Sequence, residues 1–136
     1  APRVHIVAHS MGGLVTRLCL RTTRPPNLGR VVLLGPPNHG SAAADAAARH
    51  APLRALLGVN LERLGTGPRA VAPALPPPDY EVGVIAGTGR LNPLFAGVMD
   101  GPHDGVVSVE SARLEGMRDF LVLPYSHSGM LFRAEV

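Results

Sequence analysis

Only two residues, His9 and Ser10, separate a strand-like run from a helical stripe, and that junction constrains the fold more than any other feature of the chain. Residues 3–8 (R-V-H-I-V-A) are short, β-branched and apolar at nearly every other position, the pattern of a buried strand. From residue 11 to about residue 23, apolar side chains fall at 11, 14, 15, 18 and 19, a helical stripe that closes ahead of Pro25-Pro26. A reversal this tight admits only small side chains two positions before and after its apex. Ala8 and Gly12 meet that demand around Ser10, and Gly13 lets the helix approach the sheet.

Three more apolar runs follow, at 30–35 (R-V-V-L-L-G), 81–87 (E-V-G-V-I-A-G) and 119–123 (D-F-L-V-L). Each is short, continuous and bounded by Gly or Pro, as buried strands are. The connections between them are too long for hairpins. Four buried strands with helical or long crossovers predict an α/β chain with four mostly parallel strands. The Ala-rich segment 41–50, opened by Ser41 as N-cap, predicts a short helix, and 53–64 a further helical turn. The proline-rich stretch 65–79 excludes regular structure. Residues 88–105 read as loop, 106–109 as a short extended piece, and 129 onward as a final helix. All of this fits one domain, 1–136, with 41–80 as a lid or cap excursion inside it.

Composition narrows the function. All 13 basic residues are Arg, scattered singly, and the chain holds 3 Phe, 2 Tyr and no Trp. Without clustered charge or stacking aromatics, nucleic acid is not an expected partner. Cys19 is alone, which excludes an internal disulfide and any multi-thiolate metal site; its place on the helical stripe predicts an inert core thiol. His5, His9, His39 and His103 show no ligand spacing with a carboxylate partner, so no metal is expected. No apolar stretch reaches the ~18 residues of a membrane span.

The strand–Ser–helix junction is the setting in which a serine is held as a nucleophile at the apex of a strained turn. The helix N-terminus behind it favours negative charge, which makes the backbone N–H of Met11 a candidate oxyanion donor. A plain helix N-cap is the alternative role for Ser10. A nucleophilic serine needs a base and the base needs an orienting acid. His127, in P-Y-S-H-S-G after the fourth strand, is the candidate base. Asp104, in G-P-H-D-G-V-V after the third strand, is the candidate acid, with Asp100 and Glu110 as alternatives.

These segments together resemble the C-terminal half of an α/β-hydrolase of the bacterial lipase and esterase type. V-H-I-V-A-H-S-M-G-G-L-V-T-R is similar to the nucleophile elbow of that family, with Ala8 in place of its usual first Gly. L-G-P-P-N-H-G-S, at 34–41, resembles the segment that follows its next strand, and the loops around Asp104 and His127 resemble its acid and histidine loops. The resemblance implies a partial α/β-hydrolase fold whose four strands correspond to strands five to eight. It also implies a Ser10–Asp104–His127 triad that cleaves carboxylic esters through an acyl-enzyme, without a cofactor. Acyl transfer, thioester cleavage, or a catalytically inert half-domain are the alternatives. Expected partners are a small-molecule or lipid ester and the N-terminal half of the fold. No H-G-type motif precedes Ser10 to give the second oxyanion donor, and the elbow strand is expected to have an open edge. His9, Leu56, Leu57 and Leu61 are expected on the substrate side. A soluble chain, cytoplasmic rather than secreted, is the expected location.

Overall fold

The computed structural model describes residues 2–89 and 97–136, and the side chains of Leu57 and Val59 lie outside the description. Four strands, β1 (Val4–His9), β2 (Leu28–Leu34), β3 (Val82–Gly87) and β4 (Asp119–Leu123), form one sheet in the order β1-β2-β3-β4. All three pairings are parallel. Helix α1 (Met11–Thr22) connects β1 to β2. Helices α2 (Ala42–Arg49), α3 (Ala51–Leu57) and α4 (Val59–Leu64) occupy the excursion before β3, and α5 (Val109–Ala112) precedes β4. Parallel neighbours require such crossovers, so the long connections follow from the pairing.

The central strands carry the core. Val31 and Leu33 of β2 and Val82, Val84 and Ala86 of β3 pack on one face with Leu20 of α1 and with Val107, Ala112 and Leu114. Leu34 and Ile85 turn to the opposite face and meet Met130. The alternation of side chains along each strand divides the two sets.

Several expectations change here. The four strands are not all buried: among the described residues β1 and β4 are edge strands, with a neighbour on one side only, and Val7 of β1 is 68% exposed. Residues 106–109 make no strand; a single antiparallel bridge, His103 to Ser108, leads into α5, whose N-cap Ser108 accepts from the Ser111 N–H. The segment 53–64 falls in two helices parted at Gly58, where φ is 59°. Within 65–79 a single 3-10 turn forms at Ala72–Ala74, and residues 129–132 form a 3-10 turn, not an α-helix. Residues 90–96 of the 88–105 loop lie outside the described residues.

Cys19 is exposed rather than in the core. The helix is rotated away from its apolar stripe: Gly13, Leu14, Arg17 and Leu20 face inward, while Met11, Val15 and Leu18 are about half-exposed. Arg17 explains the rotation. Its Nη1 donates to Asn38 Oδ1 at 3.0 Å, and its Nη2 to the carbonyls of Leu75 at 3.0 Å and Pro76 at 3.3 Å. Asn38 Nδ2 donates in turn to the Ala112 carbonyl at 2.8 Å. One buried guanidinium thereby ties α1 to the loop after β2 and to the end of the excursion, and Asn38 extends the tie to α5.

The excursion has a small core of its own, where Leu61 packs on Ala44 and Ala47. Asp45 accepts from the N–H and Oγ1 of Thr66, and Leu14 of α1 packs on Ala72 and Leu75. Removing Asn38 would leave a buried Arg17 donor and the Ala112 carbonyl without partners. Asn38→Ala is therefore expected to lower the unfolding free energy by about 1–3 kcal/mol, read as a shift in the urea midpoint at constant m-value.

Candidate active site

β1 delivers Ser10 to the C-terminal end of the sheet, where the chain reverses into α1. Ser10 has φ 54° and ψ −124°, the one positive φ at a non-glycine among the described residues. Such a backbone costs about 1–3 kcal/mol and persists only where the surroundings enforce it. The Ser10 N–H donates to the Leu34 carbonyl at 2.8 Å, and the Gly13 N–H donates back to the Ser10 carbonyl at 2.9 Å. A Cβ on Gly12 would sit 3.8 Å from the Ala8 Cβ, at van der Waals contact, so the two positions face each other across the turn. A Cβ on Gly13 would lie 3.1 Å from Pro36 and 3.7 Å from Leu33, which is how closely α1 approaches β2 and the loop that follows it.

The Ser10 side chain makes no capping bond to α1. Its Oγ lies 2.8 Å from His127 Nε2, and His127 Nδ1 lies 2.7 Å from Asp104 Oδ2. The carboxylate only accepts, so Nδ1 carries the proton and Nε2 is left to accept from the serine hydroxyl. Asp104 is 2% exposed. Its second oxygen, Oδ1, accepts from the N–H groups of Val106 at 2.9 Å and Val107 at 2.7 Å. Its backbone carbonyl accepts from the His127 N–H at 2.9 Å. A buried carboxylate with both oxygens paired remains a fixed acceptor for the imidazole.

Of the other acidic candidates, Asp100 is exposed, and Glu110 is exposed and pairs with Arg113 at 3.4 Å. Met11 opens α1, so its N–H has no helical carbonyl to bond. His9 sits beside the triad-like line. Its Nε2 donates to the His127 carbonyl at 2.8 Å, and the two rings lie 4.6 Å apart at 47°. Burial pulls the His9 pKa below its ordinary value; the bond to the carbonyl raises it, the His127 ring lowers it, and Asp104 raises it. Leu61 is turned into the small core of the excursion at 6% exposure, which takes it off the substrate side where the sequence places it. Leu56 is 78% exposed on α3, and the Leu57 side chain lies outside the described residues. His5 accepts from the Arg30 N–H, and the His39 ring lies against the Ser111 carbonyl, so these histidines are engaged separately.

Residues that the sequence does not mark also shape the site. Gly35 has φ 53°, and a Cβ there would lie 3.0 Å from Asp104 Oδ2 and 3.1 Å from His127 Nδ1. A Cβ on Gly87 would strike the Tyr125 carbonyl and lie 2.8 Å from the Asp104 Cβ. Gly87 closes β3 and Gly35 follows β2 directly, and a Gly between strand and loop is the only sequence signal they leave. His103 is buried and its Nδ1 accepts from the Gly105 N–H at 3.1 Å, bracing the turn that carries Asp104. Gly35→Ala is expected to cost at least ~1–2 kcal/mol in stability by urea titration. By displacing the imidazole it should also slow serine labelling by up to about 10²-fold.

No protein-family model and no curated protein matches this chain. Solved structures do. The mature form of the Bacillus licheniformis lipase BlEst2 superposes with a TM-score of 0.73 at 24% identity, covering 96% of this chain and 60% of that one. The propeptide form of the same lipase matches equally well and is covered to 33%. The phospholipase PlaB from Legionella pneumophila matches at a TM-score of 0.58 and 21% identity, over 82% of this chain and 29% of that one. This chain thus spans less than two thirds of each of these proteins. Among the described residues no helix is long and apolar enough to cross a membrane. Four parallel strands with their crossover helices, superposing on a portion of these larger chains, give this protein a partial α/β-hydrolase-like fold.

Proposed function

We propose that this chain carries the nucleophile, acid and base of a serine hydrolase that cleaves carboxylic esters. The observation that supports this reading most is the continuous line from the buried Asp104 through His127 to Ser10, with contacts of 2.7 and 2.8 Å. Likeness of fold to a lipase and a phospholipase agrees with a lipid or small-molecule ester as substrate. In this reading Ser10 Oγ attacks the ester carbonyl carbon as His127 Nε2 takes its proton. The Met11 N–H receives the oxyanion. The tetrahedral adduct collapses, the leaving alcohol oxygen takes the proton from His127, and an acyl-Ser10 ester remains. Water, deprotonated by His127, attacks the acyl carbon; the second adduct collapses, Ser10 Oγ takes the proton back from His127, and the carboxylic acid leaves. Asp104 keeps the imidazole in the tautomer these steps require. No metal or cofactor enters the sequence of steps. The folded excursion, held to α1 by Arg17 and Leu14, would serve as one wall of the substrate cleft.

The outer edge of β1 has no partner among the described residues, and Met11 is the only oxyanion donor this reading names. We infer that a further segment of the full protein pairs with that edge and brings the second donor, consistent with the greater length of the lipases it superposes on. The competing reading, an inert half-domain, draws on the same open edge.

Two experiments test the proposal in the full-length protein. A fluorophosphonate probe is expected to label Ser10, and Ser10→Ala to abolish labelling; persistent labelling of the variant removes Ser10 from the role. No labelling of either form favours the inert reading. For the acid, Asp104→Asn is expected to lower kcat by about 10³–10⁴-fold in p-nitrophenyl ester hydrolysis by imposing the wrong imidazole tautomer. Asp100→Asn is expected to leave kcat unchanged, and the opposite ranking would transfer the role.

A further inference from the structure

We propose that His9 is a positioning residue for this hydrolysis: its Nε2–H, donated to the His127 carbonyl, holds the histidine loop in register with the elbow. The inference rests on the triad reading and extends it to a fourth side chain. A carbonyl oxygen only accepts, so at 2.8 Å the His9 Nε2 must carry the hydrogen. That contact joins residues 118 positions apart, and it does so from the residue adjacent to the nucleophile.

His127 is otherwise held through its backbone N–H and its Nδ1, and both of those bonds go to Asp104. Those bonds tie His127 to the acid loop, and the Gly89 N–H donated to the Tyr125 carbonyl at 2.9 Å ties the start of the histidine loop to the end of β3, but none of these backbone and Nδ1 bonds reaches β1. The bond from His9 supplies the tie to β1 and sets Nε2 against Ser10 Oγ. Misplacement by about 1 Å is enough to cost on the order of 10²-fold in rate.

The charge state of His9 matters as well. The groups facing it are the His127 ring, 4.6 Å away between centroids, and the Asp104 carboxylate beyond. Leu34, its partner on β2, and the elbow residues Ser10 and Met11 bring no charge. His127 becomes an imidazolium when Ser10 attacks, and a cationic His9 would oppose it. Burial lowers the His9 pKa, which keeps the clamp neutral at pH 7. As pH falls through that lowered value, His9 gains a proton and should depress the rate by a further ~10–100-fold, after solvent screening.

The test compares wild type, His9→Gln and His9→Phe in the full-length protein with p-nitrophenyl butyrate. Gln keeps a donor without the ring, and Phe keeps the ring without the donor. The clamp predicts kcat within about threefold of wild type for Gln, but a loss of about tenfold or more for Phe with KM nearly unchanged. A packing role predicts the reverse ranking, and the reverse ranking or equal values in the two variants overturn the proposal. His9→Gln should lose the further fall in kcat/KM that wild type shows as His9 takes up its proton. Nitrogen-15 NMR of the imidazoles gives a readout independent of turnover: His9 is expected in the Nε2–H tautomer, and the Nδ1–H tautomer refutes the clamp. If Ser10→Ala retained hydrolysis, the triad reading would fail while the tautomer still decided the His9 contact.

Discussion

The arrangement at the sheet's C-terminal end depends on how a carboxylate can be buried. Asp104 is removed from water, and an unpaired charge there would cost several kcal/mol. Three hydrogen bonds to the carboxylate offset that cost, from the N–H groups of Val106 and Val107 and from the side chain of His127, and a fourth comes from the His127 backbone N–H. The last of these uses the Asp104 carbonyl rather than the carboxylate, so the residue grips the histidine loop at two levels. Positive-φ or close-packed glycines at 35 and 87 keep the space clear. The acid loop, the histidine loop and the ends of two strands are thus solved together, and no one of them can shift without exposing the charge to an unmatched environment.

Arg17 has the matching role a layer below, with opposite sign. It is a buried cation with carbonyl and amide oxygens as its acceptors, and its Nε has no hydrogen-bond partner. Burial lowers its pKa, with only the Tyr80 hydroxyl acting electrostatically in the other direction. Backbone carbonyls satisfy the guanidinium only if the excursion closes on α1 in a single way. The result is a fixed connection against α1, built from a proline-rich segment whose one regular piece is the 3-10 turn at Ala72–Ala74.

Much of this is legible in the residues, and the physical reasons for success and failure differ. The four strands are readable because central parallel strands must be continuously apolar, as 30–35 and 81–87 are. The tight turn at Ser10 is readable because a strand that reverses into a helix within two residues favours small side chains such as those at 8 and 12. Periodicity misleads for α1: a stripe of Met11, Val15 and Leu18 suggests the inward face, but Arg17 wins that face through hydrogen bonds that no local pattern encodes. Cys19 reads as a core thiol for the same reason. Leu61 reads as free apolar surface, yet it packs on the alanines of α2, a tertiary contact invisible to single-residue hydropathy. Proximity of His9 to Ser10 is plain in sequence, whereas its bond to the His127 carbonyl spans most of the chain and needs the fold.

The bare outer edge of β1 has a colloidal consequence. An unpaired strand edge is a template for any other extended chain, and natural sheets blunt such edges with charge, proline or cover. Here Arg3 stands near that edge, but Val4 and Val7 expose apolar surface beside it, and Met11, Val15 and Leu18 add more on α1. Wherever this edge is left uncovered, strand-to-strand association competes with folding as concentration rises. The same backbone groups that would dock a neighbouring strand then set an upper limit on how much of the protein stays dispersed.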